Sequence, residues 1–476
     1  MSTSTLKNDA IMSGAAFRWR ASTMDRLTGL DRLLHWLNRF VFVSLLALIV
    51  LVAIPYGTVE PWWIALYECA AFGLGTLWVS ERLLRGSWSL KDKALLAPLA
   101  ALAAFVLLQS VSLSWNGSGA TISADAFETR LLFFKLLAFT VTFTLLAAYI
   151  SNPRRLRLAI QAVLFIAVVS ALFGIVRQAL QPNETGFVLP YLQRNSGFAQ
   201  FINKNHFALL MEMSIGLATG FIFGGGVKRN RILLYVAAIT LLWTALVLTS
   251  SRGGIFSTLA QIVFLTVILI VSPNQGRRAR DAGSTKPANF RRFVPAAVLG
   301  AVLLVTVGIS AIWLGGDLLV TRLESVPGEI RAEAGEPHAG VRRREVWNAT
   351  WQLIKLHPVT GSGFGAYGVA ITKFHDASGK WTPEAAHNDY LELLAAGGVV
   401  GTSLVIWFGA VFINRARRQL AGPTAIQRAA CLGGLTGIFG VVAHNAVDFG
   451  LHVTANAVVF ISLVVFATRN FQGEPN

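Results

Sequence analysis

The chain has 476 residues, of which 54% are hydrophobic and only 14% are charged. Its mean hydropathy of +0.57 and its apolar runs of about 20 residues, the length that crosses a bilayer, exclude a soluble globular protein. The net charge of +17 does not indicate nucleic-acid binding, because the basic residues collect in alternate loops between the apolar runs. Cys69 and Cys431 both lie inside such runs, so neither a disulfide framework nor a thiolate metal site is expected.

Twelve apolar runs predict an all-α polytopic membrane protein. The predicted spans are approximately 39–56, 62–81, 94–114, 131–150, 158–179, 205–226, 232–249, 254–272, 294–314, 391–413, 429–445 and 453–468. The same pattern divides the chain into a tail at 1–38, nine spans at 39–314, a large loop at 315–390, three spans at 391–468 and a tail at 469–476. Basic loops alternate with short loops that are almost free of lysine and arginine, which puts both termini in the cytoplasm and, by the same alternation, the large loop outside.

The first five spans contain little polar chemistry. Glu68 and Lys135 are the exceptions, and we interpret them as residues that pack between helices or lie at an edge. The loop 181–204 that follows contains Pro182, Pro190, Gly186 and Gly197, which predicts an outer loop and not a helix. Arg194 is the only arginine in that loop, and it would contact either a substrate anion or a lipid phosphate. His206 follows as the chain enters the sixth span.

The seventh span ends in the sequence TSSRGG, Thr249–Gly254. Two glycines after an arginine break or kink the helical pattern at the outer boundary of the membrane. Because Gly253 and Gly254 carry no side chains, a ligand could approach Arg252 closely. The motif alone is also compatible with an interfacial arginine at a tight turn.

The large loop between the ninth and tenth spans has about 70 residues, far more than a connection between neighbouring helices needs, which favours a functional role. Its segment Val341–Leu356 predicts a helix, with Arg343 one turn before Trp347 on the same side. The sequence GSGFGAYG at Gly361–Gly368 predicts a glycine-rich turn. Its backbone N–H groups would either form an anion-binding nest or serve a plain turn.

His387 lies in the sequence AAHNDYLELLAAGGVVG, Ala385–Gly401, which closes the large loop and opens the tenth span. Asp389 as N-cap with Glu392 three residues later predicts a helix start. His387 would then lie at the edge of the membrane beside the positive end of a helix dipole, where an anion is favoured. The alternative is a polar cap with a surface histidine. No histidine pair has metal-ligand spacing, so a site without metal or cofactor is expected.

Several motifs in a fixed order resemble those of the O-antigen ligase and polymerase superfamily of bacterial envelopes. They are RNSGF and NKNHFA upstream, SRGG at the end of a span, R-x-x-x-W at Arg343–Trp347, H-P-x-x-G-x-G at His357–Gly363, A-H-N-D-Y-L-E around His387 and HNAVDF at His444–Phe449. The similarity covers roughly residues 193–467, whereas the first five spans match only in being hydrophobic. Three consecutive arginines at 342–344 leave the matching position ambiguous, and the spacing to Trp347 favours Arg343.

The resemblance implies the all-helical membrane architecture of the lipid-carrier glycosyltransferases, also called GT-C-like. It implies an inner-membrane enzyme that moves a glycan from undecaprenyl pyrophosphate to a hydroxyl of the lipid A core or of another glycan, on the periplasmic side. His387 would be the general base, and Arg252, Arg343 and Arg194 would bind the pyrophosphate. Arginine suits phosphate oxygens because its charge is permanent and forked, and histidine suits a base that works near neutral pH.

Two other classes of protein remain possible from the sequence. A polysaccharide or lipid transporter, or a flippase without transferase activity, would also be polytopic and would use the intramembrane charges Glu68, Lys135 and Glu212. A scaffold subunit would need none of the arginine and histidine motifs. The transporter is disfavoured because the distinctive polar residues gather on one side of the membrane and not at its midplane.

Overall fold

The structure is a computed structural model that describes residues 29–86, 88, 90–112, 121–181, 192, 197–271, 343–375, 383–422 and 424–471. Regular structure in these residues is helical, and the only strand-like feature is an isolated bridge between Phe198 and Phe201. The longer helices are α1 (Gly29–Leu51), α2 (Pro61–Leu84), α3 (Lys93–Ser110), α4 (Ala126–Tyr149), α5 (Pro153–Leu180), α6 (Lys204–Phe223), α7 (Ile232–Leu248), α8 (Arg252–Val271), α9 (Arg343–Leu356), α10 (Asp389–Leu420), α11 (Ala425–His444) and α12 (Thr454–Thr468).

The predicted all-α polytopic membrane fold is confirmed. Within the described ranges, ten helices are long and apolar enough to cross a bilayer, and α12 is a shorter apolar helix of 15 residues. Every predicted span that falls on described residues coincides with a helix. The predicted ninth span, 294–314, lies outside the described residues, so the predicted total of twelve stays a prediction. The first helix begins at Gly29, ahead of the predicted start at 39.

Helix α6 lies at the centre of the bundle, and nearly all of its residues are buried. It crosses α11 in an antiparallel direction through facing glycines, with Gly216 opposite Gly437 and Gly220 opposite Gly433. An added Cβ at Gly220 would lie 2.5 Å from the Cα of Gly433. Small residues of this kind let two membrane helices approach backbone to backbone. The close crossing brings Glu212, one turn before Gly216, beside the C-terminal end of α11.

Helix α10 is interrupted at Gly398, whose φ of 58° and ψ of −162° are not helical. The loop segment 358–364 binds the backbone groups that this break exposes. The N–H groups of Ser362 and Gly363 donate to the carbonyls of Ala395 and Ala396, and those of Val399 and Val400 donate to the carbonyls of Pro358 and Val359. Buried helix carbonyls and amides need such partners, so this loop segment completes the hydrogen bonding of a broken membrane helix.

Gln109 at the end of α3 joins the same break from a third direction. Its side-chain Nε2 donates to the carbonyls of Thr360 and Ala396 at 2.7 and 3.0 Å, and its Oε1 accepts from the N–H of Phe364 at 3.1 Å. The Gln109 side chain is fully buried. One amide therefore connects α3, the loop segment and α10.

The hypothesis that GSGFGAYG forms an anion-binding nest is wrong for its first four residues. Each N–H group from Gly361 to Phe364 already donates to a protein acceptor. The glycines serve the close approach to α10 instead. Gly361 has a φ of +71°, and an added Cβ there would lie 2.2 Å from the carbonyl oxygen of Ala396.

A group of hydrogen-bonded polar side chains lies at one end of the bundle. Arg155 donates to Asn38 Oδ1 at 2.6 Å and to the carbonyl of Tyr149 at 3.0 Å. The Tyr149 hydroxyl in turn donates to the carboxylate of Glu81, and this carboxylate also forms an ion pair with Arg85. These contacts join α1, α2, α4 and α5 at the end where basic residues are frequent, and they leave the histidines described below at the other end.

Candidate active site

A cluster of histidines and carboxylates occupies one end of the bundle. It forms where the N-terminal ends of α6, α8 and α10 meet the C-terminal end of α11 and the segment 445–453 that follows it. The members are His206, Glu212, His387, Asp389, Glu392, His444, Asp448 and His452. Residues from three separate stretches of the sequence, 206–212, 387–392 and 444–452, therefore share one site.

The backbone on either side of His387 is held by specific hydrogen bonds. The Trp347 indole Nε1 of α9 donates to the carbonyl of Ala386 at 3.0 Å, and the N–H of Ala386 donates to Glu392 Oε2 at 2.8 Å. His387 itself has a φ of +51°, a left-handed conformation that is uncommon for non-glycine residues. A strained residue fixed by its neighbours is typical of functional sites.

The N-cap of α10 is Asn388 and not Asp389, so the sequence prediction was wrong by one residue. The Asn388 side-chain oxygen accepts from the N–H groups of Tyr390 and Leu391 at 3.0 and 3.1 Å. Asn388 has the extended backbone that an N-cap needs, whereas Asp389 is already helical and its N–H donates to the carbonyl of Asn445. The Glu392 carboxylate accepts the N–H of Ala386. This resembles a capping box, in which an acidic side chain of the first turn binds a backbone N–H at the helix start, but here that N–H lies two residues before the N-cap Asn388.

The start of α10 is docked on the end of α11. Asn388 Nδ2 donates to the carbonyl of Ala446 at 2.9 Å, and the Tyr390 hydroxyl donates to the carbonyl of Val442 at 2.6 Å. The motifs AHNDYLE and HNAVDF, which lie far apart in the sequence, are therefore one structural unit. The position of His387 relative to α11 follows from these bonds.

The His387 side chain is 40% exposed, so it is accessible while its backbone is anchored. Its ring packs edge-on against Phe449, with ring centroids 4.8 Å apart, and its Nδ1 lies 3.8 Å from Asp448 Oδ1. His206 and His452 contact the same Phe449 ring at 4.9 and 5.5 Å. Phe449 thus separates three imidazoles.

A buried pair, Glu212 and His444, lies behind His387. His444 Nδ1 is 2.6 Å from Glu212 Oε1, and His444 Nε2 is 3.7 Å from Asp448 Oδ2. The side chains of all three residues are at most 1% exposed. Sequence reasoning noted Glu212 as an intramembrane charge and HNAVDF as a motif, but it did not connect them. No local pattern could do so, because 232 positions separate Glu212 from His444.

The carboxyl group of Asp448 lies outside the membrane-spanning helices. Its burial raises its pKa, but the neighbouring imidazoles of His387, His444 and His206 outweigh this effect and hold the pKa well below the usual range. Asp448 is therefore an anion at neutral pH. Its Oδ1 also accepts the N–H of Phe449 at 2.9 Å, which fixes the orientation of the carboxylate.

The two described arginines of the predicted site each begin a helix. Arg252 is the exposed first residue of α8, and Arg343 is the exposed first residue of α9. Arg194 and Arg342 lie outside the described residues. Arg343 and Arg344 are both exposed, so the choice of Arg343 stays a prediction.

The two glycines of SRGG lie against the buried pair. An added Cβ at Gly253 would lie 3.1 Å from His444 Nε2, and one at Gly254 would lie 3.2 Å from Glu212 Oε1. The sequence interpretation was that the glycines keep Arg252 open to a ligand. The structure shows a further use, because they let α8 approach the Glu212–His444 pair. Arg252 is in this way placed one residue from the contact with His444.

Lys135, which the sequence placed inside the fourth span, also contributes to this end of the bundle. Its Nζ donates to the carbonyl of His452 at 2.8 Å, and this supports the turn that carries Phe449 and His452. His452 Nε2 lies 3.5 Å from Asp389 Oδ1 and 3.4 Å from Glu392 Oε1. In the part of the chain that the structure describes, no three His, Cys, Asp or Glu side chains converge as metal ligands would.

Residues 236–406 match a protein-family model described as O-antigen ligase. The matched region contains Arg252, Arg343 and His387, but it ends before His444 and Asp448 and begins after Glu212. Comparison of the chain with curated proteins gives no significant match. The region in common with the family is thus the part that carries the two arginines and the accessible histidine.

Proposed function

The chain belongs to the O-antigen ligase superfamily of membrane glycosyltransferases, and from this premise we propose that it transfers a glycan from undecaprenyl pyrophosphate to an acceptor hydroxyl. The acceptor is the lipid A core or another glycan. The observation that carries the proposal is the accessible imidazole of His387, whose backbone is fixed on both sides at one end of a membrane bundle. A reaction between a lipid-linked donor and a hydroxyl needs a base in this position.

The reaction is a displacement at the anomeric carbon of the donor. The acceptor oxygen forms a bond to that carbon while the bond to the pyrophosphate oxygen breaks, and the pyrophosphate leaves with the electron pair. His387 takes the proton of the acceptor hydroxyl. General-base catalysis of this kind contributes about 10²–10⁴-fold in rate.

The arginines would bind the pyrophosphate. This leaving group needs charge neutralisation more than protonation, and a guanidinium offers two parallel N–H donors to phosphate oxygens. Arg252 and Arg343 begin helices at the same end of the molecule as His387, which supports this role. Arg194 would be the third contact, from the loop that precedes α6.

The site would face the periplasm, with both termini of this multi-pass protein in the cytoplasm. Support comes from the charge at the two ends of the bundle. Arg155 and the contacts around Glu81 lie at the end opposite His387, where basic residues are frequent, and the basic end of a membrane bundle faces the cytoplasm. Membrane lipids would surround the exposed apolar residues of the outer helices. The transporter alternative loses support because Glu212 is paired with His444 and Lys135 is hydrogen bonded to the chain.

The test uses purified protein in detergent or vesicles, with a lipid-linked glycan donor and an acceptor, in EDTA and without ATP. Glycan transfer and donor binding are measured on the same samples. We expect the wild type to transfer, and His387→Ala to lose about 10²–10⁴-fold in rate while it still binds the donor.

His375→Ala is the control, because His375 lies in the same loop and has no described contact with the cluster. We expect it to transfer at the wild-type rate. Translocation of the donor across vesicles without any transfer by the wild type would favour the transporter and contradict the proposal. Normal transfer by His387→Ala would remove His387 as the base and direct attention to His206 or His444.

A further inference from the structure

We infer that Asp448 is the positioning residue of His387 and that the buried Glu212–His444 pair holds Asp448 in place. This inference rests on the proposed role of His387 as the base and extends it. The geometry is an alternating series of carboxylate, imidazole, carboxylate and imidazole: Glu212, His444, Asp448 and His387. The series begins in the buried centre of the bundle and ends at the accessible ring.

The first link joins Asp448 to His387. Asp448 is 1% exposed, and its Oδ1 faces His387 Nδ1 at 3.8 Å. This distance is within ion-pair range but longer than a hydrogen bond. Two atoms at this link are buried and have no hydrogen-bond partner among the described residues, namely His387 Nδ1 and Asp448 Oδ2. Catalytic hydrogen bonds are often long without substrate and tighten when it binds.

The second link joins Asp448 to His444. His444 has a carboxylate at each ring nitrogen, Glu212 at 2.6 Å from Nδ1 and Asp448 at 3.7 Å from Nε2. Its ring orientation is therefore set from both sides. Glu212 is placed by the glycine crossing between α6 and α11, and Gly253 and Gly254 close the remaining side against α8. The position of Asp448 is thus fixed by rigid helices and not by a surface loop alone.

The arrangement determines which nitrogen of His387 reacts. If Nδ1 keeps its proton and directs it to Asp448, the lone pair is on Nε2 at the opposite side of the ring. The acceptor proton then moves to Nε2, and His387 becomes an imidazolium beside an anionic carboxylate. Asp448 stabilises that charge and holds the tautomer, but it takes no proton itself. The proton leaves His387 after the pyrophosphate has departed.

Asp448→Asn is the central variant, because it keeps the shape and removes the charge. We expect the rate of transfer to fall by at least about tenfold. The fall should not exceed the whole contribution of the base, about 10²–10⁴-fold, and donor binding should be unchanged. The acid side of the pH–rate profile should move to lower pH, because loss of the carboxylate disfavours the protonated imidazole. The titratable groups that interact with Asp448 are the imidazoles of His206, His387 and His444 and the carboxyls of Glu212 and Asp389, and the variant leaves all of them in place.

Two matched variants separate positioning from folding. Asp448→Glu keeps the negative charge, so we expect the acid side of its profile to stay near that of the wild type and part of the rate to return. Val447→Ala changes the neighbouring, exposed residue of the same turn and should leave rate and profile unchanged. Thermal unfolding in detergent checks that each variant is folded. If Asp448→Asn is unfolded, the pH–rate profile of Asp448→Glu decides the test.

A combined variant tests whether Asp448 acts through His387. If it does, adding Asp448→Asn to His387→Ala should cause no further loss, because effects of residues that work as a unit are not additive. A wild-type rate and profile in Asp448→Asn would overturn the inference. A lower rate with an unchanged profile and an additive loss in the double variant would also overturn it and leave Asp448 a structural role. Absence of transfer by the wild type would instead refute the proposed function itself.

Discussion

Replacing Gly220 with alanine tests whether the backbone contact between α6 and α11 supports the buried polar cluster. The added methyl carbon would lie 2.5 Å from the Cα of Gly433 and 2.7 Å from the carbonyl carbon of Leu432. Carbon atoms pack at about 3.5–4.0 Å, so the two helices have to separate by about 1 Å. The atoms that the methyl group meets belong to the backbone, which cannot rotate away.

The expected cost follows from two opposing effects. Overpacking of a tight interior costs about 1–3 kcal/mol, and the backbone contacts place Gly220→Ala in the upper part of that range. Alanine has the better helix propensity by about 1 kcal/mol, which offsets part of the cost. We therefore expect a net destabilisation of about 1–2 kcal/mol.

Gly409→Ala in α10 is the matched control, because no atom lies within 4 Å of an added Cβ there. It gains the helix propensity without the clash, so it should be neutral or slightly stabilised. The melting temperatures of both variants would be measured in the same detergent, together with glycan transfer. A Gly220→Ala protein as stable as Gly409→Ala would refute the packing argument, and with it the reason given for the position of Glu212.

Three further predictions follow from the site and the fold. Arg252→Ala and Arg343→Ala should each abolish glycan transfer without loss of expression, and lysine should rescue poorly because it lacks the forked donors; activity lost in Arg344→Ala but not in Arg343→Ala would show that the register within the arginine triple is wrong. Gln109→Leu should destabilise the protein by about 2–3 kcal/mol, because the leucine leaves backbone groups at the α10 break without their partner; thermal unfolding that matches the wild type would contradict this. A reporter fused near Gly379 should be periplasmic, and a cytoplasmic signal there would overturn the topology and the side of the site.

The sequence by itself determined the elements whose signals are local. Bilayer thickness sets the length of an apolar run, so most boundaries of the described spans were predictable within about five residues. The exceptions are the start of α1, at Gly29 and not at 39, and the end of α10, at Leu420 and not at 413. The helix of the large loop was also predictable, whereas its buried face, which contains Val346 and Leu353 and leaves Trp351 exposed, was seen only in the structure. His387 was identified from a motif at a span boundary, and the structure places it at that boundary with an accessible ring.

Only the tertiary structure decided how these elements combine. Glu212 and His444 are separated by most of the second half of the chain, and they meet because glycines let α6 and α11 approach closely. The loop at Gly361 carries the composition of an anion-binding nest, yet its N–H groups serve carbonyls that α10 exposes only because it breaks at Gly398. Local sequence states which groups can donate or accept, whereas the partner that satisfies them is fixed by long-range packing.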